Sequence, residues 1–130
     1  MNAKNVTPIL NVSDMQKSFD WFEKLGWRKS WDWGNPPDFG SVCAGEYEIF
    51  LCLNGQGGRG NDNGSWMALL VDDVDAIHER CLEQGIEVAW PPTDRPWGLR
   101  EMWIADPDGT RIVLVEVPED HPLRRDTRSP

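Results

Sequence analysis

The sequence is poor in the residues that most often build covalent, metal or catalytic sites. Its 130 residues include three cysteines, two histidines and one tyrosine. The cysteines are odd in number and form no CxxC pair, which predicts neither a disulfide framework nor a zinc site. No third partner places His78 or His121 in a catalytic triad. We therefore expect small, buried thiols and a reducing compartment, the cytoplasm.

The sequence also lacks an excess of positive charge and any long apolar stretch. Its 13 basic and 22 acidic residues give a formal net charge of −9. Nucleic-acid binding depends on lysine and arginine, so this balance argues against a nucleic-acid partner and favours cationic ones. No apolar run approaches the length of about 20 residues that a membrane span needs. The polar start of the chain predicts no secretory signal.

Tryptophan, by contrast, is abundant, with eight residues in the chain. Seven of them fall outside the first predicted helix. A core does not need so many indoles, because each buried indole N–H requires a hydrogen-bond partner. Ordinary core packing accounts for roughly half of them. The remainder indicate a flat-walled pocket or an interface.

The pattern of apolar residues and helix ends repeats once along the chain. Val12 and Gly26 recur as Val71 and Gly85, both at an offset of 59 residues. Each half has the pattern β-α-β-β-β, which predicts an α+β fold of two modules that enclose a concave cleft. The expected organisation is a single domain over residues 1–130, with modules at about 5–53 and 65–117 and a tail at 118–130.

Local signals place the helix starts and the connections. Ser13 and Gln16 have the spacing of a capping box, which predicts that the first helix begins after Ser13. Asp72 can cap the second helix in the same way. The run Asp106-Pro107-Asp108-Gly109 predicts a turn, because proline sets φ and glycine accepts a positive φ. Residues 54–65 are rich in glycine and asparagine and predict a connector.

Two helix starts and two motifs carry a resemblance to a known family. The helix starts are Val12-Ser13-Asp14 and Val71-Asp72-Asp73, and the motifs are Pro96-Trp97-Gly98-Leu99-Arg100-Glu101 and the turn at 106–109. Together with the repeat, they resemble the glyoxalase/bleomycin-resistance family of the vicinal oxygen chelate superfamily. The resemblance covers about residues 5–117 and implies paired β-α-β-β-β modules.

The resemblance also implies where a metal would be bound. Enzymes of this family hold a divalent ion with four ligands, on the first and fourth strands of each half. The matching positions in this chain are Thr7, Glu48 or Phe50, Trp66 and Val113. Only Glu48 offers a metal-binding atom there, whereas a divalent ion needs several donors at once. We therefore expect no metal, no other cofactor and no catalytic residue.

What remains resembles the antibiotic-binding members of the family. The function predicted on this basis is metal-free binding and sequestration of a bulky, planar, cationic small molecule, such as a bleomycin-type antibiotic. The first alternative is a metal-dependent enzyme of the same superfamily: a glyoxalase-type lyase, a thiol transferase or an extradiol dioxygenase. The second is a domain whose tryptophan-rich face binds a protein partner. The resemblance further implies a homodimer, in which the N-terminal strand is exchanged about Pro8.

Aromatic side chains interleaved with carboxylates form the predicted ligand site. Indole faces beside carboxylates suit a planar cation, because stacking and cation–π attraction act together, at about 0.5–2 kcal/mol per contact. Trp31 and Trp103 could line either the cleft or the dimer interface, where tryptophan is also enriched. The predicted ligand-binding residues are Trp33, Phe39, Glu48, Phe50, Trp66, Trp97 and Trp103.

Overall fold

The computed structural model describes residues 1–54 and 66–121, which form two compact units. We call them module 1 (Met1–Ser65 with Asp106–Thr110) and module 2 (Trp66–Ala105 with Arg111–Pro130). Each contains one helix and a four-stranded sheet, which confirms the predicted α+β fold of two β-α-β-β-β modules. The single domain and the concave cleft stay predictions. Most of the predicted connector, at 55–65, and the end of the tail, at 122–130, lie outside the described residues.

The elements of module 1 are β1 (Ile9–Val12), α1 (Met15–Leu25), β2 (Arg28–Gly34), β3 (Pro37–Ala44) and β4 (Tyr47–Leu53). Its sheet has the strand order β1-β4-β3-β2. Strand β1 runs parallel to β4, and the other neighbours are antiparallel. Thus the first strand is paired within its own chain.

Module 2 repeats this arrangement with β5 (Trp66–Val71), α2 (Val74–Gln84), β6 (Val88–Asp94), β7 (Arg100–Ala105) and β8 (Arg111–Glu116). Its sheet has the strand order β5-β8-β7-β6. Again the first strand, β5, is parallel to the last, β8, and the other pairs are antiparallel. In the part of the chain that the structure describes, neither helix is long and apolar enough to span a membrane.

Both helices begin one residue later than their capping signals predict. Asp14, not Ser13, caps α1, and its carboxylate accepts the backbone N–H of Lys17. Asp73 likewise caps α2 in place of Asp72. The predicted capping box is therefore wrong. A carboxylate at the N-cap also interacts favourably with the helix dipole, which a serine hydroxyl does not match.

Ser13 has a different partner, the turn at 106–109. Its backbone N–H is within 3.1–3.2 Å of both carboxylate oxygens of Asp108. Asp106 stabilises this turn from inside, because its Oδ1 accepts the backbone N–H groups of Asp108 and Thr110 at 2.9 and 2.8 Å. Gly109 takes the left-handed conformation, with φ +85°. The predicted turn is confirmed.

Each sheet has one face that its helix covers. In module 1, a Cβ at Gly40 would lie 2.6 Å from Phe19 Cζ of α1, so the Gly40 side of β3 faces the helix. Because side chains alternate along a strand, Phe39 and Ser41 point to the opposite face. In module 2 the deeply buried core residues on the helix side include Met102, Ile104, Ile112 and Leu114.

Candidate functional site

The face of the module 1 sheet that points away from α1 carries most of its aromatic side chains. Strand register places Trp31 opposite Ser41, and Ser41 opposite Phe50, so these three side chains share that face. Phe39 and Glu48 lie two residues from Ser41 and Phe50 on the same strands, and so on the same face. We call these five residues the aromatic face.

Three of these rings form a continuous cluster. Trp31 stacks on Phe39, with 5.7 Å between centroids and an interplanar angle of 21°. Phe50 meets both rings edge-on, at 5.3 Å from Trp31 and 5.7 Å from Phe39. These separations are those of favourable aromatic pairs. The three rings therefore form a continuous apolar surface on the sheet face that points away from α1.

A fixed carboxylate lies on the same face as the rings. Ser41 Oγ donates a hydrogen bond to Glu48 Oε2 at 2.6 Å. The Ser41 side chain is fully buried, so its hydroxyl has no water to compete for it. Glu48 itself is only half-buried. The chain thus holds one negative charge in a defined position on the aromatic face, with part of it accessible.

Trp33 extends the aromatic face toward solvent. It pairs with Phe39 across the β2–β3 ladder, which places its side chain on that face. The residue is 74% exposed. No ring contact joins Trp33 to the cluster among the described residues. Its indole is therefore available for stacking.

The matching face of module 2 contains an internal cation. Register places Trp66 opposite Arg111, and Trp103 opposite Val113 two residues further on. The Arg111 guanidinium carbon lies 5.7 Å from the Trp66 centroid and 4.8 Å from the Trp103 centroid. Trp90 adds a tilted contact to Trp103 at 6.0 Å. We call Trp66, Trp90, Trp103 and Arg111 the arginine face.

Trp97 lies apart from the arginine face, in the loop between β6 and β7. Its indole N–H donates to Glu101 Oε2 at 2.8 Å, and the guanidinium of Arg95 lies 4.7 Å from its ring. His121 Nε2 is 2.9 Å from the Trp97 carbonyl oxygen. One side of this indole is therefore already occupied by a cation of the same chain.

The seven predicted ligand-binding residues thus form three groups. The structure brings Phe39, Glu48 and Phe50 together in module 1, with Trp33 at their margin. It joins Trp66 and Trp103 through Arg111 in module 2, and it leaves Trp97 in a separate loop contact. Their role as ligand contacts stays a prediction.

Sequence reasoning missed the residues that fix or fill these faces. Ser41 is a small residue in an apolar strand, and no motif marks it. The missing signal for Arg111 is the register of β5 and β8, which sequence alone does not give. Once that register is known, alternation places Arg111 beside Trp66 at once.

The residues at the expected metal positions do not suit a metal. Val113 is 6% exposed and has no atom that can ligate a metal. The indole of Trp66 offers only an N–H group, which donates hydrogen bonds and has no lone pair for a metal. In module 1, Glu48 is the one carboxylate at such a position, and Phe50 is part of the ring cluster. A divalent ion requires several lone-pair donors. We therefore derive no metal chemistry at these positions.

One acidic group elsewhere in module 2 has the spacing of a cation site. Ligand atoms of Asp73, Asp75 and Glu116 lie within 4.8 Å of one another. Each carboxylate already has a partner: Asp73 caps α2, Glu116 Oε1 accepts the N–H of Val74, and Asp75 pairs with Arg100. These contacts explain the group as a helix N-terminus.

A groove of about 420 Å³ runs along the outer side of α1. It contains none of the predicted ligand-binding residues. It is lined by Asp14, Gln16, Lys17, Asp20, Trp21, Lys24 and Pro107. Its charges alternate in sign, which is typical of a solvated helix surface.

The fold and the sequence define the class of protein. The chain belongs to the Glyoxalase/Bleomycin resistance protein/Dioxygenase superfamily, whose family model matches residues 5–114. This confirms the resemblance noted from the repeat and the motifs. Comparison with curated proteins yields no match.

Three solved structures have folds similar to that of this chain. A bleomycin resistance determinant encoded on transposon Tn5 is 20% identical, with a TM-score of 0.75 over 88% of this chain and 98% of that chain. A superfamily member from Sphaerobacter thermophilus is 30% identical, with a TM-score of 0.73 over 88% and 98%. A bleomycin-binding protein complexed with bleomycin is 21% identical, with a TM-score of 0.71 over 89% and 100%.

Proposed function

We propose that this protein binds and sequesters a planar, cationic small molecule of the bleomycin type. The observation that carries the proposal is the aromatic face, where the ring cluster of Trp31, Phe39 and Phe50 shares one sheet face with the fixed carboxylate of Glu48. A planar ligand can stack on Trp31 or Trp33, and its positive charge can reach Glu48.

The electrostatics of module 1 favour a cation over an anion. No described lysine or arginine contacts Trp31, Phe39 or Phe50, so their negatively polarised faces remain unpaired with charge. The cation that contacts a module 1 ring, Lys29, lies over Phe19. The net charge of −9 adds a long-range attraction for cations.

The donor chemistry supports binding rather than metal-dependent catalysis. The expected ligand positions supply one carboxylate beside the hydroxyl of Thr7, an indole and a valine side chain, and that set does not hold a divalent ion. The superfamily also contains dioxygenases and glyoxalases, so a metal enzyme remains the alternative function. A solved relative that carries bleomycin makes that ligand class the first to test.

Isothermal titration calorimetry with bleomycin and with a simple planar cation, proflavine, tests the proposal. We expect saturable binding of both, weakened about tenfold in Glu48→Gln, because a charge-assisted contact is lost. Glu46→Gln is the matched control, since it removes the same charge from the exposed turn before β4. Equal losses in both variants, or no binding of either compound, would contradict the proposal.

The stacking half of the proposal has its own test. Trp31→Leu removes the ring while leaving Glu48 and Ser41 in place. We expect it to weaken both compounds by about 1–3 kcal/mol, the range for one stacking contact with its buried area. Unchanged affinity in a folded Trp31→Leu variant would show that the ring belongs to packing alone.

We also propose that the chain is a homodimer, as the family resemblance implies. Val6, Ile9 and Leu70 are each more than half exposed, and exposed apolar side chains of this size are typical of interfaces. Sedimentation should give about twice the chain mass of 14.8 kDa. A monomer at micromolar concentration would refute it, and with it the exchange of a strand about Pro8.

A further inference from the structure

We propose that the arginine face of module 2 binds the carboxylate of a planar organic ligand, with Arg111 as its receptor. This proposal does not depend on the cation binding proposed for module 1. Its basis is the position of one guanidinium between two indoles, with no acidic partner among the described residues.

The geometry leaves the binding edge of Arg111 free. A guanidinium interacts with an aromatic ring through its flat face, whereas its N–H donors lie in the plane and point outward. Arg111 contacts the rings of both Trp66 and Trp103. These contacts hold the side chain without using its donors, so the fork that suits a carboxylate stays available.

Arg100, in the same module, differs from Arg111 because its guanidinium is paired with carboxylates of the fold. Arg100 donates to both carboxylate oxygens of Asp75 and to one of Asp94, at 2.8–3.1 Å. Arg111 is exposed, and within residues 1–54 and 66–121 it makes no hydrogen bond through its side chain and no ion pair. The positive charge of Arg111 is therefore not paired with a carboxylate of the described residues.

A second donor on this face also lacks an acceptor. Trp103 Nε1 is buried and has no hydrogen-bond partner in the described part of the chain. Glu101, the buried carboxylate on the same strand, is already engaged by the indole N–H of Trp97. The donors of Arg111 and of the Trp103 indole therefore have no acceptor among the described residues, and a ligand with acceptor oxygens supplies one for the exposed fork of Arg111.

The surrounding surface defines the rest of the ligand. Trp66 is 62% exposed, so a planar ring can stack on it beside the guanidinium. Val113 and Val115 are packed with Trp103 into a small apolar cluster on the same face. A flat aromatic body with one carboxylate fits these three features together. The net negative charge of the chain repels anions at long range, so the attraction between a ligand carboxylate and Arg111 acts only at short range.

Calorimetric titration with 2-naphthoate and its neutral analogue 2-naphthamide tests the site. We expect the wild-type protein to bind the carboxylate about tenfold more tightly than the amide. Arg111→Gln should abolish this preference. Arg111→Lys keeps the charge but not the planar fork, and should retain only part of it. Arg80→Gln, on the exposed side of α2, is the control for charge and should keep the full preference.

The outcomes test the carboxylate proposal independently of the cation binding proposed for module 1. Loss of preference in Arg111→Gln, with a wild-type melting temperature and with Arg80→Gln normal, supports the carboxylate site. An unaltered preference in Arg111→Gln, an equal loss in Arg80→Gln, or no carboxylate binding by the wild-type protein overturns it. Glu48→Gln should leave naphthoate binding intact even if the proposed cation binding fails.

Discussion

Modules 1 and 2 share one order of strands and helix, but the sheet faces that point away from their helices carry different charged side chains. In module 1 the rings of Trp31, Phe39 and Phe50 share the face with the carboxylate of Glu48. In module 2 the indoles of Trp66 and Trp103 already hold the guanidinium of Arg111. Two faces that both carry several aromatic residues can therefore favour ligands of opposite charge.

The same repeat shows a difference in packing. Helices α1 and α2 have 11 residues each, with aspartate N-caps and glycine C-caps. At the offset of 59, however, Phe19 corresponds to His78 and Phe22 to Cys81. The buried residues of α1 outnumber those of α2 and are larger. Module 1 therefore depends more on its helix for stability than module 2 does.

The largest expected effect concerns Phe22. Its side chain is fully buried and packs edge-on against Trp21 and Trp27. Phe22→Ala should lower the free energy of unfolding by about 3–5 kcal/mol, because it removes a large apolar side chain and leaves a cavity. Urea denaturation followed by circular dichroism measures this. A loss below about 1 kcal/mol would contradict the packing difference.

The position in module 2 that corresponds to Phe22 is occupied by Cys81. Cys81 is also fully buried, and burial raises the pKa of its thiol. Cys81→Ala removes one sulfur atom, and should cost roughly 1 kcal/mol. The same denaturation experiment measures it. A loss as large as that of Phe22→Ala would show that the two helices contribute alike.

Asp106 links pH to the stability of the turn at 106–109. Burial raises the pKa of its carboxyl above the ordinary value, which the hydrogen bonds from Thr110 and Asp108 only partly oppose. Since the folded-state pKa is the higher one, the folded state binds the proton more readily than the unfolded state. The favourable contribution is present below the unfolded pKa and is lost as pH rises through the folded pKa.

Two variants separate the charge of Asp106 from its hydrogen bonds. Asp106→Asn keeps the Oδ1 acceptor without the charge, and should gain stability relative to wild type as pH rises from acid to neutral. Asp106→Ala loses the acceptor for two backbone N–H groups and should cost about 1–3 kcal/mol. Thermal unfolding across this pH range measures both. If the stability difference between wild type and the Asp106→Asn variant did not change with pH, the role of burial would be contradicted.

The smallest expected effect concerns the ion pairs of Arg100. Contacts with Asp75 and Asp94 raise the pKa of Arg100, and the hydrogen bond from Arg100 lowers the pKa of Asp75. Because all three side chains are partly or largely exposed to solvent, salt screens the attraction. Arg100→Gln should lower the melting temperature slightly in dilute buffer and not at all at about 1 M salt. A large loss that persists at high salt would be inconsistent with screened surface pairs.

Sequence patterns predicted the fold, which the structure confirms, whereas the grouping of the predicted site residues depends on strand register. The repeat at offset 59 can be read directly from the sequence. The helix-ending glycines Gly26 and Gly85 can be predicted because a left-handed C-cap is a local backbone requirement, and the structure confirms both modules. The N-caps were misplaced by one residue because Ser13 and Asp14 are both competent caps, and the contact of Ser13 with Asp108 is not local. Whether an aromatic residue lies beside a cation depends on the register between strands that are distant in sequence, as the pairing of Trp66 with Arg111 shows.

Proflavine binding by Glu48→Gln and Arg111→Gln, measured in one calorimetric series, tests most simply whether the two faces prefer ligands of opposite charge. If the module 1 face is the cation site, Glu48→Gln weakens binding about tenfold, and Arg111→Gln does not weaken it. Weaker binding in Arg111→Gln, or full affinity in Glu48→Gln, would contradict the assignment of opposite charge preferences to the two faces.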